Sequence, residues 1–105
     1  MIKFYKLAKI SEPGGQRIGF LREEGYFLPN NYSLALVVYR DDSLKWYVVE
    51  LTSGTALGEG ITKTKAVQNF EHNVERCGIS GVKKAIDRSI ELYGMTPDHR
   101  ETEVF

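Results

Sequence analysis

The chain is expected to fold as α+β, with an antiparallel sheet of four to five strands first and two C-terminal helices packed on one face of it. Three observations predict this. Up to Ile61 the chain shows period-two and near-continuous apolar runs, separated by short stretches rich in Gly, Pro, Asp and Asn. From Lys63 the apolar spacing changes to that of a helix and keeps it to Tyr93. Strands do not alternate with helices, which argues against a doubly wound parallel sheet. The 105 residues, 42% hydrophobic and 27% charged, suit one globular domain and argue against disorder. The domain is expected over 1–94, with a tail over 95–105.

The first strand is Ile2 to Ile10. Ile2, Phe4, Ala8 and Ile10 share one face with Lys6 as the exception, and Lys3, Tyr5, Leu7 and Lys9 share the other. Ser11 to Gly15 reads as a turn, because Pro presets φ and Gly permits positive φ. A second, short strand is expected from Arg17 to Leu21, with Gly19 marking a bulge or a close backbone approach. Glu23-Glu24-Gly25 is expected to turn the chain before Tyr26-Phe27-Leu28, and Pro29-Asn30-Asn31 to form a loop. Ser33 to Arg40 and Leu44 to Leu51 are dense apolar runs joined by Asp41-Asp42-Ser43, which predicts an antiparallel hairpin. Both faces of these two runs are apolar, so they should be central and covered on both sides. Thr52 to Thr55 turns the chain into a short last strand, Ala56 to Ile61.

Thr62 is placed to cap a helix whose stripe is Ala66, Val67, Phe70, Val74 and Cys77, with Gly78 just past its end. Cys77 is expected to be buried on that stripe. Ser80 can cap a second helix, with Val82, Ala85, Ile86, Ile90 and Tyr93 as its stripe and Gly94 and Pro97 closing it. Disorder is expected over the tail, with a short edge strand at 102–105 as the alternative.

Net charge is +0, from 14 basic and 14 acidic residues, which weighs against a dedicated nucleic-acid binder but leaves room for a local basic patch. The signs are uneven: up to Arg22 only Glu12 faces Lys3, Lys6, Lys9, Arg17 and Arg22. One cysteine rules out an intramolecular disulfide or a cysteine metal cluster. Charges interrupt the N-terminal apolar run, and no apolar span is long enough for a membrane, so a cytoplasmic protein is expected.

The most informative stretch is Gly58-Glu59-Gly60-Ile61-Thr62-Lys63-Thr64-Lys65. A helix start carries partial positive charge and normally gathers acids, yet this one has Lys63 and Lys65 and no capping-box acid. Cations beside free backbone N–H groups, after two glycines, suit an anion. A solvated helix start is the plain alternative, and Glu59 would neutralise part of the patch. The missing Gly-Lys-Ser/Thr ending rejects a P-loop.

The segment strand, Gly58-x-Gly60-x-Thr62-Lys63, then a helix with Ala66, resembles the C-terminal half of double-stranded RNA-binding domains. That family sets lysines at a helix N-terminus against phosphates across a groove. Lys63 stands at the first lysine of its Lys-Lys-x-Ala-Lys signature and Ala66 at its alanine, while Thr64 and Val67 replace the other two lysines. The resemblance covers about a third of the chain, and strands occupy the place of the family's N-terminal helix. The same helix start is similar, more loosely, to the three-strand-plus-helix arm-binding modules of phage integrases.

Lys3, Tyr5 and Lys9 form a basic and aromatic stripe that would suit bases and phosphates, or equally a half-exposed sheet face. His72 and Cys77 lie on different helix faces, and His99 is in the tail, so neither a nucleophile–base pair nor a metal set is expected. Asp41-Asp42 reads as turn chemistry and Glu23-Glu24 as a solvated loop. No catalytic residue and no cofactor is expected. The first expectation is a small binding module for RNA or DNA, with Lys63 and Lys65 on phosphates, Gly58 and Gly60 letting backbone approach, and Thr62 or Thr64 donating hydrogen bonds. The alternative is a protein-interaction or inhibitor module of phage or mobile-element type, anchored by Tyr26, Phe27 or Tyr39. Strand addition at an edge would permit a homodimer.

Overall fold

The computed structural model describes residues 1–97 of the chain. Five strands form an antiparallel meander in chain order: β1 (Ile2–Glu12), β2 (Gly15–Phe27), β3 (Leu36–Arg40), β4 (Trp46–Glu50) and β5 (Ala56–Gly60). One helical element follows, α1 (Lys63–Tyr93). The α+β class, the antiparallel sheet and the order of strands before helix are as expected. Among the described residues no helix is long and apolar enough to cross a membrane.

The second strand differs from its expectation. The residues Glu23-Glu24-Gly25 do not turn the chain; they continue β2, paired in unbroken register with β1 from Ile2↔Gly25 to Glu12↔Gly15. The reason is cross-strand. Glu23 meets Lys6 at 3.1 Å, so the acid that looked like loop chemistry and the lysine that broke the apolar alternation satisfy one another. At Gly19 the register stays regular, without a bulge. Gly25 is where β2 passes from β1 to β3: a Cβ there would lie 2.6 Å from the Val38 carbonyl oxygen. Beyond it only Tyr26 and Phe27 pair with β3.

The β3–β4 hairpin forms in the expected place, with Leu36↔Glu50 through Arg40↔Trp46 in register. Its turn is held by Asp41, whose Oδ1 accepts from Ser43 N, Ser43 Oγ and Lys45 N. Both faces of the hairpin are covered. On one side Leu36 and Val48 pack against Ala66, Phe70, Val74, Val82 and Ile86 of α1. On the other, Val37, Tyr39 and Val49 pack against Phe4 of β1. The sheet curls far enough for β1 to supply that second cover, and Leu7 N donates to Gly54 O of the β4–β5 turn at 2.9 Å.

That turn is fixed by Glu50, which is 3% exposed. Its carboxylate accepts from Thr52 N, Thr52 Oγ1 and Ser53 N at 2.7–2.9 Å. Charge-assisted bonds of this kind are what make a buried carboxylate tolerable.

The expected pair of helices is one element with a kink. Gly78 has the positive φ of a helix terminator, 73°, but its ψ of 156° is followed at once by further helix, with no loop and no Ser80 cap. The buried positions run Ala66, Phe70, Val74, then Val82 and Ile86, so Gly78 falls in the gap of a spacing of four. The contact stripe is therefore narrower than the sequence pattern indicated, and Cys77 and Ala85 are exposed rather than buried. Gly94 closes the helix, donating to Ile90 O at 2.7 Å. Part of the expected tail is docked: Thr96 is buried, its N–H donates to Thr52 O and its hydroxyl to Leu51 O, both at 2.9 Å. The alternative edge strand at 102–105 lies outside the described residues.

Candidate functional site

Thr62 caps the helix as its position in the sequence indicated. Its backbone is extended, at φ −131° and ψ 161°, and its hydroxyl accepts from Lys65 N at 3.0 Å. The first turn holds no acid, and Lys63, Thr64 and Lys65 are exposed. Glu59 is drawn away from this end, since its carboxylate pairs with Lys45 at 3.0 Å and thereby raises the Lys45 pKa.

Gly58 and Gly60 have a packing role. A Cβ on Gly58 would sit 2.7 Å from Phe70 N and 2.8 Å from Ala66 O; one on Gly60 would sit 2.7 Å from Ala66 N. The close backbone approach that these glycines permit is that of α1 itself. Each lacks a side chain because the first two turns of the helix lie directly on β5.

The helix start meets the sheet through its lysine. Lys63 Nζ lies 5.9 Å from the centroid of the Tyr26 ring. Beside Tyr26, in the same cleft, are Trp46 and Arg40, with the Arg40 guanidinium 6.0 Å from the Trp46 ring. Both contacts are near the outer limit for a cation over an aromatic face. Arg40 also borders a second cleft with Lys3, Arg22, Glu23 and Glu24. Lys3 and Lys63, 60 residues apart in the chain, thus belong to one end of the molecule, joined through Arg40, Trp46 and Tyr26. Of the acids there, Glu23 is engaged by Lys6. Glu24 stands opposite Lys3 in the β1–β2 register.

The other expected residues divide. Tyr5 is on the outward face of β1, where its hydroxyl accepts from Arg22 Nη1 at 3.0 Å and the guanidinium lies 5.0 Å from its ring centroid. Lys9, opposite Ile18, is exposed farther along the β1–β2 hairpin, away from the clefts. Tyr26 is 50% exposed and Phe27 62% exposed. They point to opposite faces, as neighbours in a strand must. Tyr39 cannot be a surface anchor. It is 4% exposed, packed edge-on to Phe4 and stacked on Tyr47, with Lys6 over its ring at 5.1 Å. Burial raises its pKa, and the nearby Lys6 opposes that shift only in part. The Tyr39 face of β3 is covered by the curled β1.

Sequence reasoning missed Arg40 and Trp46. The signal was present: once Asp41 to Lys45 is taken as the turn, these two residues are cross-strand partners on one face. Among the described residues, no group of three His, Cys, Asp or Glu is placed to hold a metal ion. Comparison with family models, curated proteins and solved structures found no match to this chain.

Proposed function

We propose that the chain is a small binding module that holds a nucleic-acid backbone across the end of the sheet where α1 begins. The observation that carries the reading is the continuous run of cations and aromatic rings from Lys3 through Arg40, Trp46 and Tyr26 to Lys63. Cations on one surface neutralise phosphates, and aromatic faces beside them accept bases of any sequence. Lys65 and the capped helix start add positive potential at one end of the run. Recognition is by charge and shape. The zero net charge is compatible, because two acids near this surface are paired, Glu59 with Lys45 and Glu23 with Lys6, which leaves Glu24 beside the cations. The resemblance of the helix start to double-stranded RNA-binding domains supports the same role for Lys63 and leaves Gly58 and Gly60 as packing residues.

A second reading, a protein-interaction module, is favoured by one observation. Ile61, between β5 and the helix, is 82% exposed, beside an aromatic surface suited to a hot spot.

The test is an NMR titration of labelled protein with short single-stranded and duplex RNA and DNA at two salt concentrations. Shifts at Lys3, Tyr26, Arg40, Trp46 and Lys63 that weaken with salt are expected. The double variant K63E/K65E should lower affinity and flatten the salt dependence, by about one unit of slope per lost phosphate contact. Unchanged affinity in that variant, or no shifts at low salt, would overturn the proposal and make a protein partner the working reading.

A further inference from the structure

A sheet edge normally exposes a row of backbone acceptors and donors that invites another strand. On β5 the outward carbonyls are already taken. Asn69 Nδ2 donates to Glu59 O at 2.6 Å, and Asn73 Nδ2 donates to Leu57 O at 2.9 Å. The two asparagines are four apart on α1, and the two carbonyls are two apart on β5. Four helical residues advance about 6 Å, and two strand residues about 6.8 Å, so one helix flank matches the edge it runs beside. The match needs the helix close to the strand, which the glycine at position 58 allows.

We infer that Asn69 and Asn73 form a guard on β5, occupying the acceptors that an extended strand of a second copy of this chain would use. The side-chain amides stand where the N–H groups of a sixth strand would stand. With the guard in place, the edge of β5 is blocked against pairing with its own kind. The outward pair Leu57 and Glu59 marks the segment that becomes adhesive when the amides are removed. This surface lies on the outer edge of β5, so the inference does not depend on the nucleic-acid reading.

The experiment is sedimentation of wild type and of the N69A/N73A variant over a wide concentration range, with circular dichroism to confirm that each is folded. Wild type should remain a monomer, and the variant should associate as concentration rises. Adding E59P to the variant removes an edge N–H without touching a β4 hydrogen bond and should restore the monomer. A folded variant that stays monomeric at every concentration would overturn the inference. Amide hydrogen exchange at Leu57 and Glu59 in wild type gives a second readout that needs no substitution. The guard takes carbonyls and leaves these N–H groups to water, so fast exchange at every protein concentration is expected, and protection that grows with concentration would overturn the guard.

Discussion

The substitution Gly58→Ala separates a packing glycine from a ligand-contact glycine. The added methyl would meet Phe70 N at 2.7 Å, and Ala66 O and Phe70 Cβ at 2.8 Å. Two of these are helix backbone atoms, so no side chain can swing aside. Ordinary contact begins near 3.4 Å, and α1 must therefore retreat from β5 by about 0.6 Å. A gap of that size forfeits a quarter or more of the dispersion energy across the Ala66, Phe70 and Val48 contact. Overpacking of this kind costs about 1–3 kcal/mol. The lower backbone entropy of alanine in the unfolded chain returns about 0.4–1 kcal/mol. The net loss is about 1–2 kcal/mol, which for a chain of this size lowers the thermal midpoint by about 5–15 °C. Thermal denaturation followed by circular dichroism measures it. Gly81→Ala is the control, because its Cβ would meet only Cys77 Cβ, at 3.3 Å, in a helix where alanine is favoured by about 1 kcal/mol. A Gly58→Ala midpoint within about 2 °C of wild type, less than 1 kcal/mol predicts, would refute the argument. If that stable variant had lost nucleic-acid binding, Gly58 would be a contact residue after all.

Glu50→Gln should lower stability by about 2 kcal/mol, since the amide cannot accept from all of Thr52 N, Thr52 Oγ1 and Ser53 N, and bonds to a charged acceptor are worth about 1.5–3 kcal/mol. Urea unfolding measures it, and an unchanged midpoint would mean that the β4–β5 turn does not depend on the carboxylate. Asp41 has a pKa below its ordinary value, chiefly through the Ser43 hydroxyl and then the Lys45 backbone N–H. Its folded pKa is therefore below its unfolded one, so its contribution is present above about pH 4 and is lost as pH falls through the depressed folded value. Comparing Asp41→Asn with wild type across that window should show the stability difference shrinking toward acid, and a constant difference would remove Asp41 from the acid response.

How much of this was legible depends on how local the cause is. The β3–β4 hairpin, its turn, the last strand and the Thr62 cap were readable because each rests on residues within a few positions of one another. So was the demand that β3 and β4 be covered on both faces, since Leu36 to Tyr39 offer no polar side. The identity of the second cover was not readable. Both helices were expected on one face and no cover was named for the other, whereas the sheet curls until Phe4 meets Tyr39. Glu23-Glu24-Gly25 misled for a related reason: the partner that makes Glu23 a strand residue is Lys6, on a neighbouring strand. Cys77 misled because it was placed on the stripe of a helix ending at Gly78, while the buried positions before the kink are Ala66, Phe70 and Val74 and resume after it at Val82.

The same distinction applies to the site. Lys63 and Thr62 stood out in the sequence because a helix start without acids is unusual in itself, and the structure leaves both at the surface of one end of the sheet. Gly58 and Gly60 stood out for a different cause, the pressure of α1 on β5, and nothing in a Gly-x-Gly string distinguishes a glycine that admits a ligand from one that admits a helix. What joins Lys63 to Lys3 is the Lys63–Tyr26 contact and the two clefts that Arg40 borders, which are tertiary facts. The division of labour follows from them. The glycines and asparagines along β5, with Trp46 packed on the same core, fix the helix to the sheet, and the exposed cations Lys3, Arg40 and Lys63 stay free of that task. Substitutions on the first set should therefore change stability or association, and those on the second should change binding at constant stability. A mutation at Lys63 or Arg40 that destabilised the fold as much as Gly58→Ala would contradict that separation.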